Sequence, residues 1–179
     1  MVELHDALGA ARIPHAFGGA FALLWCTGEP RTTVDIDVNV FMDPTETPRM
    51  LAALPPGIGH TESDAKILRS EGQHRLHFDG IPVDLFLDTT RFHNDVKLRT
   101  TVHELAGRQL PFLGCTDLAV FKAFFNRRRD WADIEEMMRC DRIDSAYVIG
   151  VLTTYLGEGD ERIHRFDEIR REVSNRIEG

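Results

Sequence analysis

Residues 15–41 read HAFGGAFALLWCTGEPRTTVDIDVNVF. Within an apolar run of this stretch, two carboxylates, Asp35 and Asp37, are separated by a single residue. Apolar and polar residues alternate over 34–41, a pattern typical of a half-buried β-strand. Two residues of separation on a strand put both carboxylates on the same face, where their repulsion is costly unless a cation lies between them. The stretch therefore predicts a strand that carries a divalent-metal site, and the alternative is a solvated polar face of an antiparallel sheet.

The segments around this strand alternate between strand and helix periodicity. An Asp-Gly pair at 79–80 favours a tight turn between two apolar-rich strands, and Gly107 has the same place in a second hairpin. Residues 57–72 have no readable period, whereas the chain from Thr116 onward is helical in pattern. Helices are predicted over 2–12, 20–26, 47–54, 116–126, 127–139, 145–156 and 160–176, strands over 13–17 and 34–41, and hairpins over 74–88 and 102–113. The predicted fold class is α+β, with a helical C-terminal part.

Composition limits the classes of protein to which the chain can belong. A chain of 179 residues with 42% hydrophobic content can bury one sizeable core, and a net charge of −8 argues against broad coating of a nucleic-acid backbone. Cys26, Cys115 and Cys140 are an odd, widely spaced set, so we expect reduced thiols rather than a disulfide. The N-terminus is acidic where a secretory signal is basic, and the longest uncharged run, 13–28, is shorter than a membrane span. These features predict a cytoplasmic protein with no membrane segment.

A third carboxylate, Asp84, belongs to a second predicted strand with the same pattern, apolar on one face and polar on the other. Together with Asp35 and Asp37 it can complete a cluster of three carboxylates. Ligation by oxygen alone suits Mg²⁺ or Mn²⁺, which bind through few carboxylates and complete their coordination with water and substrate phosphates.

The order of these motifs resembles the DNA polymerase β-like nucleotidyltransferase superfamily. The residues that carry the resemblance are Gly18 and Gly19, then Asp35 and Asp37 in VDIDV, then Asp84 in PVDLF. The second small residue of this fingerprint is often Ser, and here it is Gly19. The loop that follows is also slightly longer than the usual pattern.

More closely, RTTVDIDVNVF and DLAVFKAFFNRRRDWADIEEM look like the nucleotidyltransferase toxins of bacterial abortive-infection and toxin–antitoxin systems. In those families a helix carries a Lys, followed by an Arg-Asp-x-x-Asp segment. The residues that match are Lys122, Arg129, Asp130 and Asp133. The resemblance spans residues 17–138.

The resemblance implies a small mixed sheet flanked by helices. It places the nucleotidyltransferase catalytic core in 1–115 and a helical subdomain, which carries Lys122 and packs on the core, in 116–179. It implies a metal-dependent enzyme that moves a nucleoside monophosphate from an NTP to a hydroxyl and releases pyrophosphate. A toxin that acts on tRNA or protein, with a cognate antitoxin as partner, is the leading interpretation. An aminoglycoside-like small-molecule nucleotidyltransferase and a non-catalytic nucleotide- or nucleic-acid-binding module are the alternatives.

The resemblance also suggests roles for the residues of the core. Gly18 and Gly19 at a helix start allow close approach of a triphosphate, unless they serve only a tight strand-to-helix turn. Asp35, Asp37 and Asp84 would hold two metal ions, and Asp84 is the candidate general base.

In the helical part, Lys122 is expected near the edge of an apolar stripe, where it meets the nucleotide phosphates or extends to solvent. Asp130 and Asp133 either orient Lys122 or Arg129, take part in catalysis, or form an ordinary acidic pair at a helix start. The run 127–129 with Trp131 is a candidate RNA contact through phosphate binding and base stacking, or a solvated helix junction.

Overall fold

The computed structural model of the chain describes residues 1–178, with side chains described through residue 176. The chain forms two compact units. The first consists of Met1–Phe21 and Arg31–Leu113, and the second consists of Ala22–Pro30 and the chain from Gly114 onward. Among the helices of residues 1–178, none has both the length and the apolar character that crossing a bilayer requires.

The first unit is built on a seven-stranded mixed sheet with the strand order β3-β4-β5-β2-β1-β7-β6. The strands are β1 (His15–Phe17), β2 (Ile36–Val40), β3 (Ile58–Gly59), β4 (Gln73–Phe78), β5 (Ile81–Leu87), β6 (Thr101–Leu105) and β7 (Arg108–Phe112). Strand β2 runs antiparallel to β1 and parallel to β5, which places it in the middle of the sheet. The predicted α+β class with a mixed sheet is confirmed.

Alternation of residue type explains how β5 sits in this sheet. Val83, Leu85 and Leu87 are almost fully buried, whereas Asp84 and Phe86 are partly exposed. One face of the strand therefore packs on the core, and the other presents a carboxylate at the surface, as the sequence pattern predicts.

The two predicted hairpins form around two-residue turns. Asp79 and Gly80 have φ angles of 49° and 85°, and Ala106 and Gly107 have 52° and 74°. Positive φ at both central residues is the geometry that Asp-Gly favours, because its twist matches that of the flanking strands. The β4–β5 turn fixes the register of the two strands.

The first unit also contains short helices. They are α1 (Val2–Ala10), the start of α2 (Gly19–Thr27), α3 (Thr47–Ala52), α4 (Glu62–Glu71) and α5 (Arg91–Val96), with a 3₁₀ turn at Pro44–Glu46. Helix α4 lies in the segment without a readable period. It begins with a capping box, in which the Thr61 hydroxyl accepts from the Asp64 N–H and the Asp64 carboxylate accepts from the Thr61 N–H.

The second unit is helical. Besides the end of α2 it contains α6 (Cys115–Phe125), α7 (Arg128–Arg139), α8 (Ser145–Leu156) and α9 (Glu161–Glu178). Helix α6 ends at Asn126, whose left-handed conformation (φ 56°) stops the helix before α7. The core of this unit is formed by the buried side chains of Leu118, Val120, Trp131, Ile134, Met137, Val148, Leu152 and Phe166.

The expectation that all cysteines are reduced thiols is wrong for one pair. Cys26 near the end of α2 and Cys115 at the start of α6 form a disulfide, with their Cα atoms 5.5 Å apart across 89 residues of sequence. Cys140 is free. The pairing depends on how the second unit packs its helices, and neither spacing nor composition contains that information.

Candidate active site

Two of the three predicted site carboxylates lie side by side in the middle of the sheet. Asp37 on β2 and Asp84 on β5 are register partners in a parallel pair. Because directly paired residues of neighbouring strands project to the same face, their carboxylates share one face of the sheet.

Asp35 lies in the loop before β2, which differs from the prediction of a strand over 34–41. Strand β2 begins at Ile36, and Val34 is 76% exposed. The Thr33 hydroxyl donates to the Asp35 carboxylate, and the Asp35 N–H donates back to that hydroxyl at 3.5 Å. Such local hydrogen bonds compete with a strand ladder and explain the later start of the strand.

Arg75 on β4 gathers the carboxylates around one guanidinium. Its Nε lies 2.7 Å from Asp84 Oδ1, and its Nη2 lies 2.6 Å from Asp84 Oδ2 and 3.5 Å from Asp35 Oδ2. The hydrogen bonds and charge of Asp84 raise the pKa of Arg75 above its ordinary value, and the charges of Asp35 and Asp37 act in the same direction. All three predicted carboxylates therefore act on one cationic group.

Arg75 was missed at the level of sequence, although a signal for it exists. The two-residue turn at 79–80 pairs Phe78 with Ile81, and counting outward along the hairpin pairs Arg75 with Asp84. An Arg directly opposite a carboxylate on an adjacent antiparallel strand is a favourable cross-strand pair. The turn and the strand pattern together were sufficient to predict the contact.

Gly19 is required by its contact with Asp37. Its φ angle is +55°, and a Cβ atom at this position would lie 1.8 Å from Asp37 Oδ2. The Asp37 carboxylate therefore lies against the backbone at the start of α2. Any residue larger than Gly at position 19 would displace this carboxylate. This contact gives a physical reason for Gly at a position where the fingerprint often has Ser.

The backbone N–H of Gly18, a residue predicted to bind phosphate, is engaged within the sheet. Its N–H donates to the Asp37 carbonyl at 2.9 Å and so extends the β1–β2 ladder. The start of α2 still provides the N–H groups of a first helical turn, which favour an anion. A Cβ at Gly18 would also lie 3.1 Å from Asn39 Nδ2, and Asn39 is a buried polar residue on β2 that the sequence interpretation did not single out.

The donor set around Arg75 fits a divalent cation in its chemistry. Carboxylate oxygens are the ligands that Mg²⁺ and Mn²⁺ prefer, and these carboxylates already surround a positive charge. Within the described part of the chain, no three His, Cys, Asp or Glu side chains are close enough to form a ready-made metal site. The cluster is held around an arginine.

A second cationic cluster lies in the helical unit. Lys122 Nζ lies 2.6 Å from Asp133 Oδ2 and 3.7 Å from Asp130 Oδ1, and the exposed fractions of these three side chains are 5%, 9% and 1%. Lys122 is thus buried, where the sequence placed it at the edge of the apolar stripe. Phe125 on the same helix is 40% exposed, and the Arg127 guanidinium lies over its ring. Neutralisation by Asp133 is what allows Lys122 into the core.

The arginine run is only partly free to meet a ligand. Arg127 binds Asp130 through its Nε at 2.6 Å, whereas Arg128 and Arg129 are exposed at the start of α7. The structure places Lys122, one of the two partners expected for Asp130 and Asp133, against both carboxylates.

Trp131 is not placed for base stacking, and that part of the RNA-contact prediction is wrong. The side chain is buried, its Nε1 donates to Asn126 Oδ1 at 2.7 Å, and the Arg165 guanidinium lies 4.8 Å from its ring centroid.

The fold is similar to those of known nucleotidyltransferases. No protein-family model and no curated protein matches the sequence. A solution structure of the antibiotic-resistance factor ANT(2″)-Ia matches with a TM-score of 0.50 at 11% identity, covering 98% of this chain and 90% of that one. A crystal structure of ANT(2″)-Ia in complex with adenylyl-2″-tobramycin matches with a TM-score of 0.50 at 12% identity, covering 98% and 95%.

A nucleotidyltransferase-like protein from Paracoccidioides brasiliensis also matches, with a TM-score of 0.50 at 14% identity, covering 98% of this chain and 86% of that one. At these identities the likeness establishes the fold alone. The chain therefore has a nucleotidyltransferase-type fold, and its chemistry rests on its own residues.

Proposed function

We propose that this protein is a metal-dependent nucleotidyltransferase, which moves a nucleoside monophosphate from an NTP to a hydroxyl acceptor and releases pyrophosphate. The observation that carries the proposal is the gathering of Asp35, Asp37 and Asp84 around one cation, with Asp37 against the start of α2. Nucleotide phosphates at the start of that helix would lie next to the carboxylates.

The proposed reaction is an in-line displacement at the α-phosphorus. A bond forms between the acceptor oxygen and the α-phosphorus, while the bond from that phosphorus to the bridging oxygen of the β-phosphate breaks. The hydroxyl proton passes to the Asp84 carboxylate, and pyrophosphate leaves. Mg²⁺ or Mn²⁺ held by Asp35, Asp37 and Asp84 would neutralise phosphate charge and lower the pKa of the attacking hydroxyl.

Residues of the helical unit have proposed supporting roles. Lys122 and Arg129 are candidates for contact with the triphosphate, and Asp133 and Asp130 are candidates for orienting Lys122. The ion pairs of Lys122 with both carboxylates support the orienting role. A contact of Lys122 with nucleotide remains a prediction.

The acceptor is proposed to be tRNA or a protein hydroxyl, in the manner of a toxin restrained by an antitoxin. Exposed Arg128 and Arg129 offer phosphate contacts to an RNA. Reversing the charge of Arg128, which has no proposed nucleotide contact, to Glu should then depress transfer to RNA with NTP binding unchanged, whereas the same change at exposed Arg171 on α9 serves as the matched control. Steep loss of wild-type transfer with added salt is expected for RNA, and shallow loss is expected for a small acceptor.

A small-molecule acceptor is the second candidate. It is favoured by the fold shared with ANT(2″)-Ia, whose crystal complex contains adenylyl-2″-tobramycin. A non-catalytic nucleotide- or nucleic-acid-binding module is the third, and it predicts binding without turnover.

The deciding experiment incubates the purified protein with each α-labelled NTP, Mg²⁺ or Mn²⁺, and total tRNA, cell protein or tobramycin in separate reactions. The proposal predicts label on one acceptor and equimolar release of pyrophosphate. Label on tobramycin would select the small-molecule alternative. Nucleotide binding with no transfer to any acceptor would contradict the enzyme proposal.

A further inference from the structure

We propose that Arg75 is a built-in counter-cation, which competes with a divalent metal ion for Asp84 and Asp35 and must be displaced before the metal binds. The inference deepens the function proposed above, because it concerns how the same carboxylates are held before metal and nucleotide arrive.

The contacts of Arg75 use the same oxygens that a metal would need. Its guanidinium engages both oxygens of Asp84 in a bidentate pair, and Nη2 also lies 3.5 Å from Asp35 Oδ2. Charge-assisted bidentate pairs are among the stronger hydrogen-bonded contacts of proteins. A metal ion needs its carboxylate oxygens at roughly 2.0–2.2 Å, and a guanidinium hydrogen-bonded to the same oxygens would repel it.

The balance of charge makes this competition direct. Three carboxylates act electrostatically on Arg75, so its positive charge lowers the negative potential that attracts a cation. Removal of that charge leaves the carboxylates less compensated and therefore more attractive to a metal ion. Among the side chains of residues 1–176, no ready-made metal group is present, which agrees with carboxylates that are oriented toward Arg75.

Exposure makes Arg75 displaceable. Its side chain is 51% exposed, and those of Asp35 and Asp84 are 18% and 19% exposed. Water solvates a released guanidinium at little cost, and an exposed ion pair is screened by salt. A buried arginine would be a permanent part of the core, whereas this one can exchange with a competing cation.

The test measures Mn²⁺ binding to the nucleotide-free protein from the electron paramagnetic resonance signal of unbound Mn²⁺. Arg75→Gln should bind Mn²⁺ roughly tenfold more tightly than the wild type, and Arg75→Lys should gain less because it keeps the charge. Arg108→Gln is the matched control, since Arg108 is 56% exposed and pairs with Asp6 at 2.7 Å in the same unit. The double variant Arg75→Gln/Asp84→Asn should lose the gain.

The outcomes separate this inference from the proposed function. Equal Mn²⁺ affinity in the wild type and Arg75→Gln would overturn the counter-cation role and leave the metal site standing. An equal gain in Arg75→Gln and Arg108→Gln would show a general effect of net charge and would also overturn it. No Mn²⁺ binding by either protein, with circular dichroism confirming the fold, would overturn both the inference and the metal dependence of the proposed function.

Discussion

Each unit of the protein contains a cation among carboxylates, and the two clusters differ in burial. In the sheet unit, Arg75 pairs with Asp84 while half of its side chain is exposed. In the helical unit, Lys122 pairs with Asp133 at the same distance of 2.6 Å, with only 5% of its side chain exposed. An exposed pair contributes little to stability and can exchange its cation, whereas breaking a buried pair leaves a charge without solvent. The difference in burial therefore predicts different functions for two clusters whose shortest contacts have the same length.

Removal of Lys122 tests the structural cluster and should have the largest effect on stability. Lys122→Met removes the ammonium that lies 2.6 Å from the buried Asp133 carboxylate, so we expect the free energy of unfolding to fall by about 3–5 kcal/mol. Urea unfolding followed by circular dichroism measures the change. The double variant Lys122→Met/Asp133→Leu removes both charges and should regain most of the loss. A loss below about 1 kcal/mol in the single variant would contradict the structural role.

The double variant also separates stability from nucleotide contact. If Lys122 meets the triphosphate, the restored double variant should still bind NTP roughly tenfold more weakly, as expected for the loss of one charge-assisted contact. Unchanged NTP affinity in that variant would show that the role of Lys122 is only structural, in the core of the helical unit.

The disulfide should stabilise the helical unit by the next largest amount. Cys26 and Cys115 close a long loop, and a bond of this kind contributes about 2–4 kcal/mol. We expect Cys26→Ser or reduction with dithiothreitol to lower the unfolding free energy by that amount. Cys140→Ser is the matched control because Cys140 is free. Equal stability with and without reductant would show that the bond contributes nothing.

Gly19 tests the contact between the sheet carboxylates and the helix start. Gly19→Ala places a Cβ in a strained left-handed conformation and 1.8 Å from Asp37 Oδ2, so we expect a loss of about 1–3 kcal/mol of stability. Gly9→Ala on α1 is the control, since a Cβ there meets nothing within 4 Å. Thermal unfolding of the two variants side by side measures the difference. Equal stability of both variants would show that the Asp37 carboxylate does not lie against the backbone of Gly19.

Arg75 should give the smallest change in stability. Arg75→Gln breaks a half-exposed pair, and we expect less than about 1 kcal/mol of change in unfolding free energy, even though the same substitution alters metal binding. A loss comparable to that of Lys122→Met would remove the distinction between the two clusters.

Much of the sheet could be predicted because the signals are local. The alternation of β5 and the Asp-Gly turn determine which residues face the core and which residues pair across the hairpin. The same register places Arg75 opposite Asp84, so this contact could have been predicted from the turn and the strand pattern. Helix α4 was missed for a similar reason, since the pattern Thr61 to Asp64 is a capping box and Gly72 ends the helix in a left-handed conformation.

Other features depend on contacts between distant segments. The burial of Lys122 requires Asp133 on the next helix, and periodicity of α6 alone places the residue near solvent. The Cys26–Cys115 bond depends on the approach of two helices that are far apart in sequence. Asp35 lies outside β2 because its carboxylate accepts a hydrogen bond from the Thr33 hydroxyl. This local bond competes with strand pairing, although the sequence pattern alternates regularly.

The central claim is that the sheet carboxylates serve nucleotidyl transfer, and transfer by Asp37→Asn tests it most directly. The measurement is the initial rate of labelled monophosphate transfer from an NTP to the acceptor found for the wild type, with Asp95→Asn, an exposed carboxylate of α5 in the same unit, as control. We predict a rate at least about a hundredfold lower for Asp37→Asn, or about 2.7 kcal/mol in activation free energy, with unfolding unchanged or shifted to higher temperature. Wild-type transfer by a folded Asp37→Asn variant would contradict the claim.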